Sequence, residues 1–371
     1  MTISVIANFY KSERYIPKLI QSVLAQSYSD WELLCVNDCS PGNDLAVIEK
    51  FAKKDSRIRI INNETNLGIC KAKYRGIEEA KGEYLCFIDG DDWLEPDALK
   101  KMIEPAIEHD LDMVVMNHKK VLPIIGYARL HCTQAPVDTV IEINPHATEE
   151  DDARKNFVRY YSNFFGNSVF MVTYWGKLIK KSVITESGFT PPSSYIAEDF
   201  VFSMTIFPYL RKIMFIDYAG YNWRWGGITS GKKNNIWTGE MNIRRSNEIY
   251  MDRLQLIEKY SLNCFEQGLM IEQRNNFEGF IGNEAKEDAE TEYGKSVIKV
   301  LNEVLQAGFY SDFLKLKEGN DKYADDELLD SIIARDAKRV YKYCRKVYKT
   351  NQMKRFVKNA IHTVLYPLAK L

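Results

Sequence analysis

The chain has 371 residues, of which 45% are hydrophobic, and its 50 lysine and arginine residues nearly balance 51 aspartate and glutamate residues. This length and apolar content exclude global disorder and support roughly two or three structural units with a real core. Seven cysteines without a CxxC pair predict reduced, packed thiols and exclude a disulfide framework or a zinc site. Because the sequence opens on a strand pattern and has no apolar run long enough to cross a bilayer, we expect a cytoplasmic protein without a signal peptide.

The first 117 residues alternate between predicted strands and helices. Strands are predicted at 3–7, 31–36, 57–61, 83–88 and 111–116, and helices at 14–26, 45–51, 68–80 and from Glu95 onward. Such alternation predicts an α/β fold with a mainly parallel sheet and helices on both faces. Ligands of these sheets bind beyond the carboxyl ends of the strands, where the turns at Asp38 and Asp89 fall.

Three carboxylates crowd into the four positions after the predicted strand that ends at Ile88. They belong to Asp89, Asp91 and Asp92. Like charges this close are unfavourable unless a cation lies among them, and Mg²⁺ or Mn²⁺ takes oxygen ligands and bridges to phosphates. The alternative is that these acids only cap the helix that begins near Glu95, but three acids exceed what a cap needs. The turn therefore predicts a metal site in an enzyme that handles a nucleotide diphosphate.

The order weakens beyond residue 117. Residues 118–150 suggest an insertion or mobile loop, 152–165 and 198–210 suggest helices, 174–187 is amphipathic, and the pattern from Met241 onward is almost wholly helical. We therefore predict a first domain at 1–235, with halves at 1–117 and 118–235, and a helical C-terminal domain at 236–371.

The tail from Arg335 to Leu371 carries eleven lysine or arginine residues and the single acid Asp336. Apolar residues lie between them, which predicts a helix that lies on anionic lipid at the inner face of a membrane. The alternative is a packing or homo-oligomerisation helix with a solvated basic face. Nucleic acid is not expected as a partner, because the rest of the chain is net acidic and carries the predicted metal site.

A series of ordered blocks resembles the family-2 glycosyltransferases, which are inverting enzymes of the GT-A fold that use nucleotide sugars. The blocks are Ser4-Val5-Ile6 with Tyr10, residues 21–32, Asn37-Asp38-Cys39-Ser40, Asn66-Leu67-Gly68 with Lys73 and Gly76, Asp89-Gly90-Asp91-Asp92, Trp175-Gly176-Lys177-Leu178, and Glu198-Asp199. The resemblance covers roughly the first 230 residues and implies a Rossmann-like GT-A domain. It departs at Asn8, Asn37 and Lys73, where the family usually has proline, aspartate and arginine.

The resemblance implies roles on the donor side. Asp91 would bind Mn²⁺ or Mg²⁺ directly, Asp89 would contact the metal through water or the ribose, and Asp92 would ligate or position the sugar. Asp38 would accept the imino hydrogen of uracil, which implies a UDP-sugar donor, or would only form a local turn. Lys73 would contact the pyrimidine or the phosphates, or lie on a solvated helix face.

The resemblance also implies roles on the acceptor side. Asp199 would be the general base and Glu198 its support, against the alternative that both acids merely begin a helix. Trp175 would stack on an acceptor sugar or lie in the core.

The segment 221–233 mixes aromatic, glycine and basic residues. It predicts a loop that closes over substrate, with Arg224 or Lys232 reaching the diphosphate, or else a surface hairpin. No histidine lies near this segment in the sequence, so a histidine metal ligand is not expected.

The resemblance, together with the acidic turn, implies an inverting glycosyltransferase in surface polysaccharide biosynthesis. It would move a hexose or N-acetylhexosamine from a UDP-sugar to a saccharide or lipid-linked acceptor. A nucleotidyltransferase that forms sugar nucleotides is one alternative, but it requires a glycine-rich basic loop where this chain has Asn8-Phe9-Tyr10-Lys11. A non-catalytic scaffold that keeps the fold is another, and it would show no metal-dependent stabilisation by UDP.

Overall fold

The structure is a computed structural model, and it divides into two compact units, Met1–Lys233 and Asn234–Leu371. It describes residues 2–122, 126–133, 135–166, 170, 172–192, 197–227, 239–308, 310–318 and 321–368. All seven cysteines are free; four of them are buried, whereas Cys39, Cys132 and Cys264 are exposed and do not fit the predicted packing.

A twisted sheet forms the centre of the first unit. Its described strands are β1 Ile3–Phe9, β2 Trp31–Asn37, β3 Ile58–Asn62, β4 Tyr84–Asp89, β5 Trp93–Leu94, β6 Met113–Leu122, β7 Tyr127–His131, β8 Ile141–Glu142, β9 Lys177–Lys180 and β10 Lys212–Arg224. Their order is β3-β2-β1-β4-β9-β6-β10-β5, with β7 added to β6 and β8 to β10. The pairs β3–β2, β2–β1, β1–β4 and β6–β10 are parallel, whereas β9 runs antiparallel between β4 and β6. The predicted α/β fold is confirmed.

Helices cover this sheet. They are α1 Ile16–Leu24, α2 Asp44–Ala52, α3 Ile69–Glu79, α4 Ala98–Glu108, α5 Asp152–Tyr161, α6 Lys181–Glu186 and α7 Glu198–Ile206. In α1 the residues Ile16, Leu19, Ile20 and Val23 recur at intervals of three and four and are all fully buried. This spacing gives the helix one apolar face, which packs on the sheet. All seven residues of β2 are buried, as expected for a strand that helices cover on both faces.

The second half of this unit is more ordered than the sequence predicts. Strand β6 continues to Leu122 and pairs with β7, which corrects the expected insertion or mobile loop at 118–150 for residues 118–122 and 127–131. The sequence analysis also missed β10, a strand of 13 residues, and the predicted loop at 221–233 begins inside it. Residues 228–233, which include Lys232, lie outside the described residues. Strands of this kind depend on partners distant in sequence, so local pattern identifies them poorly.

The second unit is helical, as predicted. Its longer described helices are α8 Gly239–Lys259, α9 Glu266–Asn276, α11 Glu292–Ala307 and α14 Ala337–Leu368, and the shorter ones are α10 Gly282–Glu284, α12 Leu314–Glu318 and α13 Glu327–Ile333. In α14 the side chains of Val340, Tyr341 and Cys344 are fully buried, so the first turns of the basic tail pack inside this unit. The side chains from residue 355 onward lie outside the described part. In the part that is described, no helix combines the length and the apolar character that a membrane crossing needs.

Candidate active site

The carboxyl ends of β1, β2 and β4 meet at one edge of the sheet. Strand β1 lies between the other two, and its register places Asn8 beside Asp89 and Phe9 beside Asn37. The turn after β2 and the acidic turn after β4 therefore flank the same strand end. The side-chain oxygen of Asn8 is buried and has no hydrogen-bond partner among the described residues. This amide was noted in the sequence only as a departure from the family pattern, and it adds a polar group to the edge.

Asp92, in the same acidic turn, is buried against β10. It is 1% exposed, and its carboxylate accepts hydrogen bonds from the Tyr221 hydroxyl at 2.6 Å and the Arg224 backbone N–H at 2.7 Å. Burial raises the pKa of Asp92 well above its usual value, and the charges of Asp89 and Asp91 add to the effect. The predicted contact between Asp92 and the donor is therefore corrected, because this carboxylate holds β10 against the acidic turn.

Lys73 occupies the centre of the site. Its side chain is 2% exposed, and its ammonium lies 3.1 Å from Asp89 Oδ1 and 3.7 Å from Asp199 Oδ1. The same ammonium lies 4.5 Å from the centroid of the Tyr174 ring. Burial alone would lower the pKa of Lys73, but the two carboxylates outweigh it and raise the pKa. The alternative of a solvated helix face is wrong, because Lys73 joins the acidic turn to the predicted base.

Glu198 and Asp199 begin helix α7 beside this lysine. The backbone N–H of Tyr174 donates to Asp199 Oδ1 at 3.2 Å, which fixes that carboxylate. Burial, followed by the charge of Asp199, raises the pKa of Glu198 to about 7. Burial also raises the pKa of Asp199, while Lys73 opposes the shift. The Asp199 side chain keeps 32% of its surface accessible, which leaves room for an acceptor hydroxyl. A carboxylate pair with pKa values moved toward neutrality suits general base chemistry.

Lys177 is a second buried lysine near Asp199, and the sequence analysis gave it no role. It is 2% exposed and donates hydrogen bonds to the carbonyl and the hydroxyl of Thr173. Burial lowers the pKa of Lys177 to about 7, although the nearby charge of Asp199 acts in the opposite direction. A lysine at the start of a short strand gives no local signal of burial, so only the packing identifies it.

The carboxylate of Asp38 accepts several hydrogen bonds from other residues of the chain. Its carboxylate accepts hydrogen bonds from the Asn63 amide at 2.9 Å and from the backbone N–H groups of Leu67 and Gly68 at 2.8 and 2.9 Å. The side chain is 3% exposed. The sequence analysis gave a local turn as the alternative role of Asp38. In the structure its carboxylate instead bonds to residues farther along the chain and anchors the segment before α3. Its contact with a nucleotide base stays a prediction.

Arg224 lies on the other side of the acidic turn, at the end of β10. Its Nε donates to the backbone carbonyl of Asp91 at 2.7 Å, and its guanidinium lies 4.9 Å from the centroid of the Trp93 ring. Lys18 of α1 lies over the same ring at 3.3 Å, a contact that the sequence did not reveal. Burial lowers the pKa of Lys18, and the charge of Arg224 lowers it further. The cationic groups of Lys18 and Arg224 therefore both lie near the Trp93 ring, close to Asp91.

Trp175 belongs to the core. It is 6% exposed and stacks on Tyr221, with ring centroids 4.4 Å apart and an interplanar angle of 11°. The predicted stacking of Trp175 on an acceptor sugar is therefore wrong. His118 packs edge-on against Trp175 at 5.1 Å, so a histidine does approach the 221 segment in space. Burial lowers the pKa of His118 to about 4, and His131 adds to the effect, so this imidazole is neutral at pH 7.

Gly227 makes a close approach to Asp91. A methyl group added at this position would lie 1.8 Å from Asp91 Oδ2. The Asp91 carboxylate is the end of a short side chain that can rotate. We therefore expect the Gly227→Ala variant to fold normally but to displace the Asp91 carboxylate. Manganese-dependent stabilisation by UDP, measured by thermal shift, should fall severalfold. Gly42→Ala is the control, since its added methyl would meet no atom nearer than 3.6 Å. Equal stabilisation of both variants would contradict the role of this contact.

Comparisons with known proteins point to one family of enzymes. The model of the family described as Glycosyl transferase family 2 matches residues 4–174. Glycosyltransferase GlyA of Streptococcus pneumoniae is 25% identical over 236 residues, which are 64% of this chain but 32% of GlyA. A cholesterol galactosyltransferase of Borreliella burgdorferi is 26% identical over 273 residues, which are 71% of this chain and 73% of that protein. The chain thus spans less than a third of GlyA and most of the other relative.

The fold also matches a solved structure. The crystal structure of S. aureus TarS 1-349 in complex with UDP-GlcNAc superposes with a TM-score of 0.66 at 21% identity, and covers 95% of this chain and 92% of that one. At this identity the likeness concerns the fold, which in this chain brings the acidic turn, Lys73 and the acids of α7 together. Residues 4–174 therefore match glycosyltransferase family 2, and the relatives and the shared fold agree with that match.

Proposed function

We propose that the chain is an inverting glycosyltransferase that moves a hexose or N-acetylhexosamine from a UDP-sugar to a saccharide or lipid-linked acceptor during surface glycan assembly. One observation carries the proposal. The buried ammonium of Lys73 contacts both Asp89 of the acidic turn and Asp199 of α7. Groups suited to bind a sugar nucleotide and a group suited to remove a proton therefore lie within one small cluster.

The donor side has polar groups suited to a nucleoside diphosphate. Asn8, Asp38 and Asp89 occupy the ends of three adjacent strands, where α/β sheets bind nucleotides. Arg224 and Lys18 provide positive charge beside Asp91, and cations stabilise the charge that develops on a leaving diphosphate. The UDP-GlcNAc in the TarS structure supports a UDP-sugar as the donor class.

The acidic turn fits a divalent cation that the donor helps to hold. Gly227 leaves space at Asp91 Oδ2 that any side chain would fill, and Asp89 of the same turn lies against the Lys73 ammonium. Among the described residues no three His, Cys, Asp or Glu side chains form a ready metal site. Asp91 would therefore hold Mn²⁺ or Mg²⁺, with the remaining ligands from phosphate oxygens and water. Such an ion would neutralise charge on the diphosphate.

Asp199 performs the proton transfer in this proposal. Its carboxylate accepts the proton of the acceptor hydroxyl as that oxygen forms a bond to the anomeric carbon. The bond from the anomeric carbon to the diphosphate breaks, and UDP leaves with the bonding electrons. Attack from the face opposite the leaving group inverts the anomeric configuration. Lys73 and the Tyr174 N–H keep the carboxylate oriented.

Aromatic side chains near the end of β10 suit an acceptor sugar. Lys120 lies 4.8 Å from the centroid of the Trp223 ring and 4.5 Å from that of Trp225, which is 46% exposed. Trp225 lies two residues before Gly227, which abuts Asp91. An accessible indole held by a cation beside the acidic turn replaces Trp175 as the candidate platform for the acceptor.

Removal of Asp91 tests this function. We expect Asp91→Ala to lose metal-dependent UDP-sugar hydrolysis by about 10³-fold and to lose stabilisation by UDP with Mn²⁺, because charge stabilisation of this kind is often the largest catalytic contribution. A panel of UDP-hexoses and UDP-N-acetylhexosamines, followed by release of UDP, gives the measurement. Asp152→Ala is the matched control, since that side chain is 92% exposed on α5. A wild-type protein that neither hydrolyses any UDP-sugar nor gains stability from UDP and Mn²⁺ would be a scaffold.

A further inference from the structure

The helical unit contains a polar pocket that the proposed transfer reaction does not use. Helix α9 continues into a π-helical turn, Phe277–Ile281, which packs against α14 through a contact from the Cys344 thiol to the Phe277 carbonyl. Single π-helical turns within α-helices occur frequently at functional sites. A cavity of about 300 Å³ opens beside this turn, which is at the lower end of the range for ligand pockets.

Amide side chains dominate the wall of this pocket. Asn275, Asn283, Asn351 and Gln352 line it, together with Glu278, Val347, Tyr348, Gly279 and Gly282. Within the described residues, no group donates to or accepts from the side chains of Asn283, Asn351 or Gln352. The one acid, Glu278, is paired with Arg274. The pocket therefore offers both donors and acceptors and little net charge.

Two glycines keep the floor of the pocket open. A methyl group added at Gly279 would meet no atom within 4 Å, and one at Gly282 would meet only the Cys344 carbonyl, at 3.7 Å. Glycine inside a helix costs about 0.5–1 kcal/mol relative to alanine. Neither position needs glycine for backbone conformation, because neither has a positive φ. Their effect is to leave space next to the half-buried ring of Tyr348.

We propose that this pocket binds a neutral saccharide, at a site separate from the sugar donor site of the first unit. Each sugar hydroxyl both donates and accepts hydrogen bonds, which matches side-chain amides. The apolar face of a sugar ring packs on an aromatic side chain such as Tyr348. An anionic ligand is disfavoured, because no lysine or arginine is among the described lining residues, and the charge of the neighbouring Arg274 is already shared with Glu278 and Asp326.

Two neutral disaccharides, cellobiose and N,N′-diacetylchitobiose, serve as probes for the full-length protein. Binding is measured by isothermal calorimetry and by saturation-transfer NMR, in the absence of nucleotide and metal. We expect at least one of them to bind, with the NMR effect concentrated on one ring face. Absence of binding by both would overturn the proposal.

A pair of glycine variants locates the site. Gly279→Leu fills the cavity and is expected to weaken disaccharide binding by more than about tenfold. Gly268→Leu makes the same change on the exposed surface of α9, also with no atom within 4 Å, and should bind like wild type. Circular dichroism and the thermal midpoint confirm that both variants fold. Equal affinities of the two variants, or equal losses, would overturn the location.

The same disaccharide-binding assay distinguishes the pocket of the helical unit from the proposed active site of the first unit. Asp91→Ala is expected to keep full disaccharide binding, because the pocket lies wholly in the helical unit. Gly279→Leu is expected to keep hydrolysis of UDP-sugars. If Asp91→Ala also lost disaccharide binding, the probe would be occupying the site of the first unit and the proposal would be wrong.

Discussion

Asp199→Asn is expected to reduce sugar transfer about 10³-fold, because a positioned general base contributes about 10²–10⁴-fold to a rate. Asparagine keeps the shape of the side chain and can still accept the Tyr174 N–H bond, but it takes up no proton at neutral pH. Donor binding, measured by titration with UDP and Mn²⁺, should stay within about twofold of wild type. Transfer at near wild-type rates would show that another group removes the proton.

The pH profile gives a second view of the same carboxylates. The base must be ionised, and burial raises the pKa of Glu198 to about 7 and that of Asp199 above its usual value. Activity is therefore expected to rise with pH toward neutrality and to fall on the acid side, far above the pH at which a free carboxyl titrates. Glu198→Gln removes the neighbouring negative charge and should move the acid limb of kcat/KM to lower pH. An unshifted limb would mean that the two acids do not titrate as a pair.

Lys73→Met is expected to lower the free energy of unfolding by about 3 kcal/mol at pH 8, because it leaves two carboxylates without their buried cation. The value lies at the low end of such losses, since Asp89 and Asp199 keep 27% and 32% of their side chains exposed. Methionine fills a similar volume, so the loss reflects charge more than packing. Transfer activity should fall as well, because Asp199 loses the contact that orients it.

The sign of the pH dependence identifies the cause. Burial raises the pKa of Asp199 and Lys73 opposes that shift, so without Lys73 the folded-state pKa of Asp199 rises further above its unfolded value. Stability is then lost as pH rises through those values, so the deficit should be larger at pH 8 than at pH 5. Urea unfolding at both pH values measures it. Lys71→Met changes an exposed lysine on the same helix and should cost less than about 0.5 kcal/mol. A deficit independent of pH, or equal in both variants, would exclude the proposed charge compensation.

The edge of the sheet could be predicted because its signals are local. Apolar runs, and the polar turns that end them, mark β1, β2 and β4, and parallel strands bring their carboxyl ends together. The positions of Asp38, Asp89 and Asp91 follow from this pattern. The family resemblance added Asp199 and Glu198, which no spacing in the sequence ties to the acidic turn.

Other assignments depended on contacts between distant parts of the chain. Asp92 and Asp91 are neighbours in one acidic run, yet Asp92 bonds to Tyr221, which lies 129 positions away. The position of β10 decides that contact, and long-range strand pairing leaves little trace in local pattern. Trp175 was a candidate for stacking on a sugar because its side chain is aromatic, but its stacking on Tyr221 places it in the core.

The amino-acid sequence by itself determined the α/β order of the first unit, the helical second unit and the acidic turn, since hydrophobic periodicity and local charge are properties of neighbouring residues. Only the tertiary structure decided which polar groups are buried and paired. Lys73 shows the reason. A lysine in the middle of a helix is ordinarily solvated, and its burial between Asp89 and Asp199 arises when α3, β4 and α7 pack together.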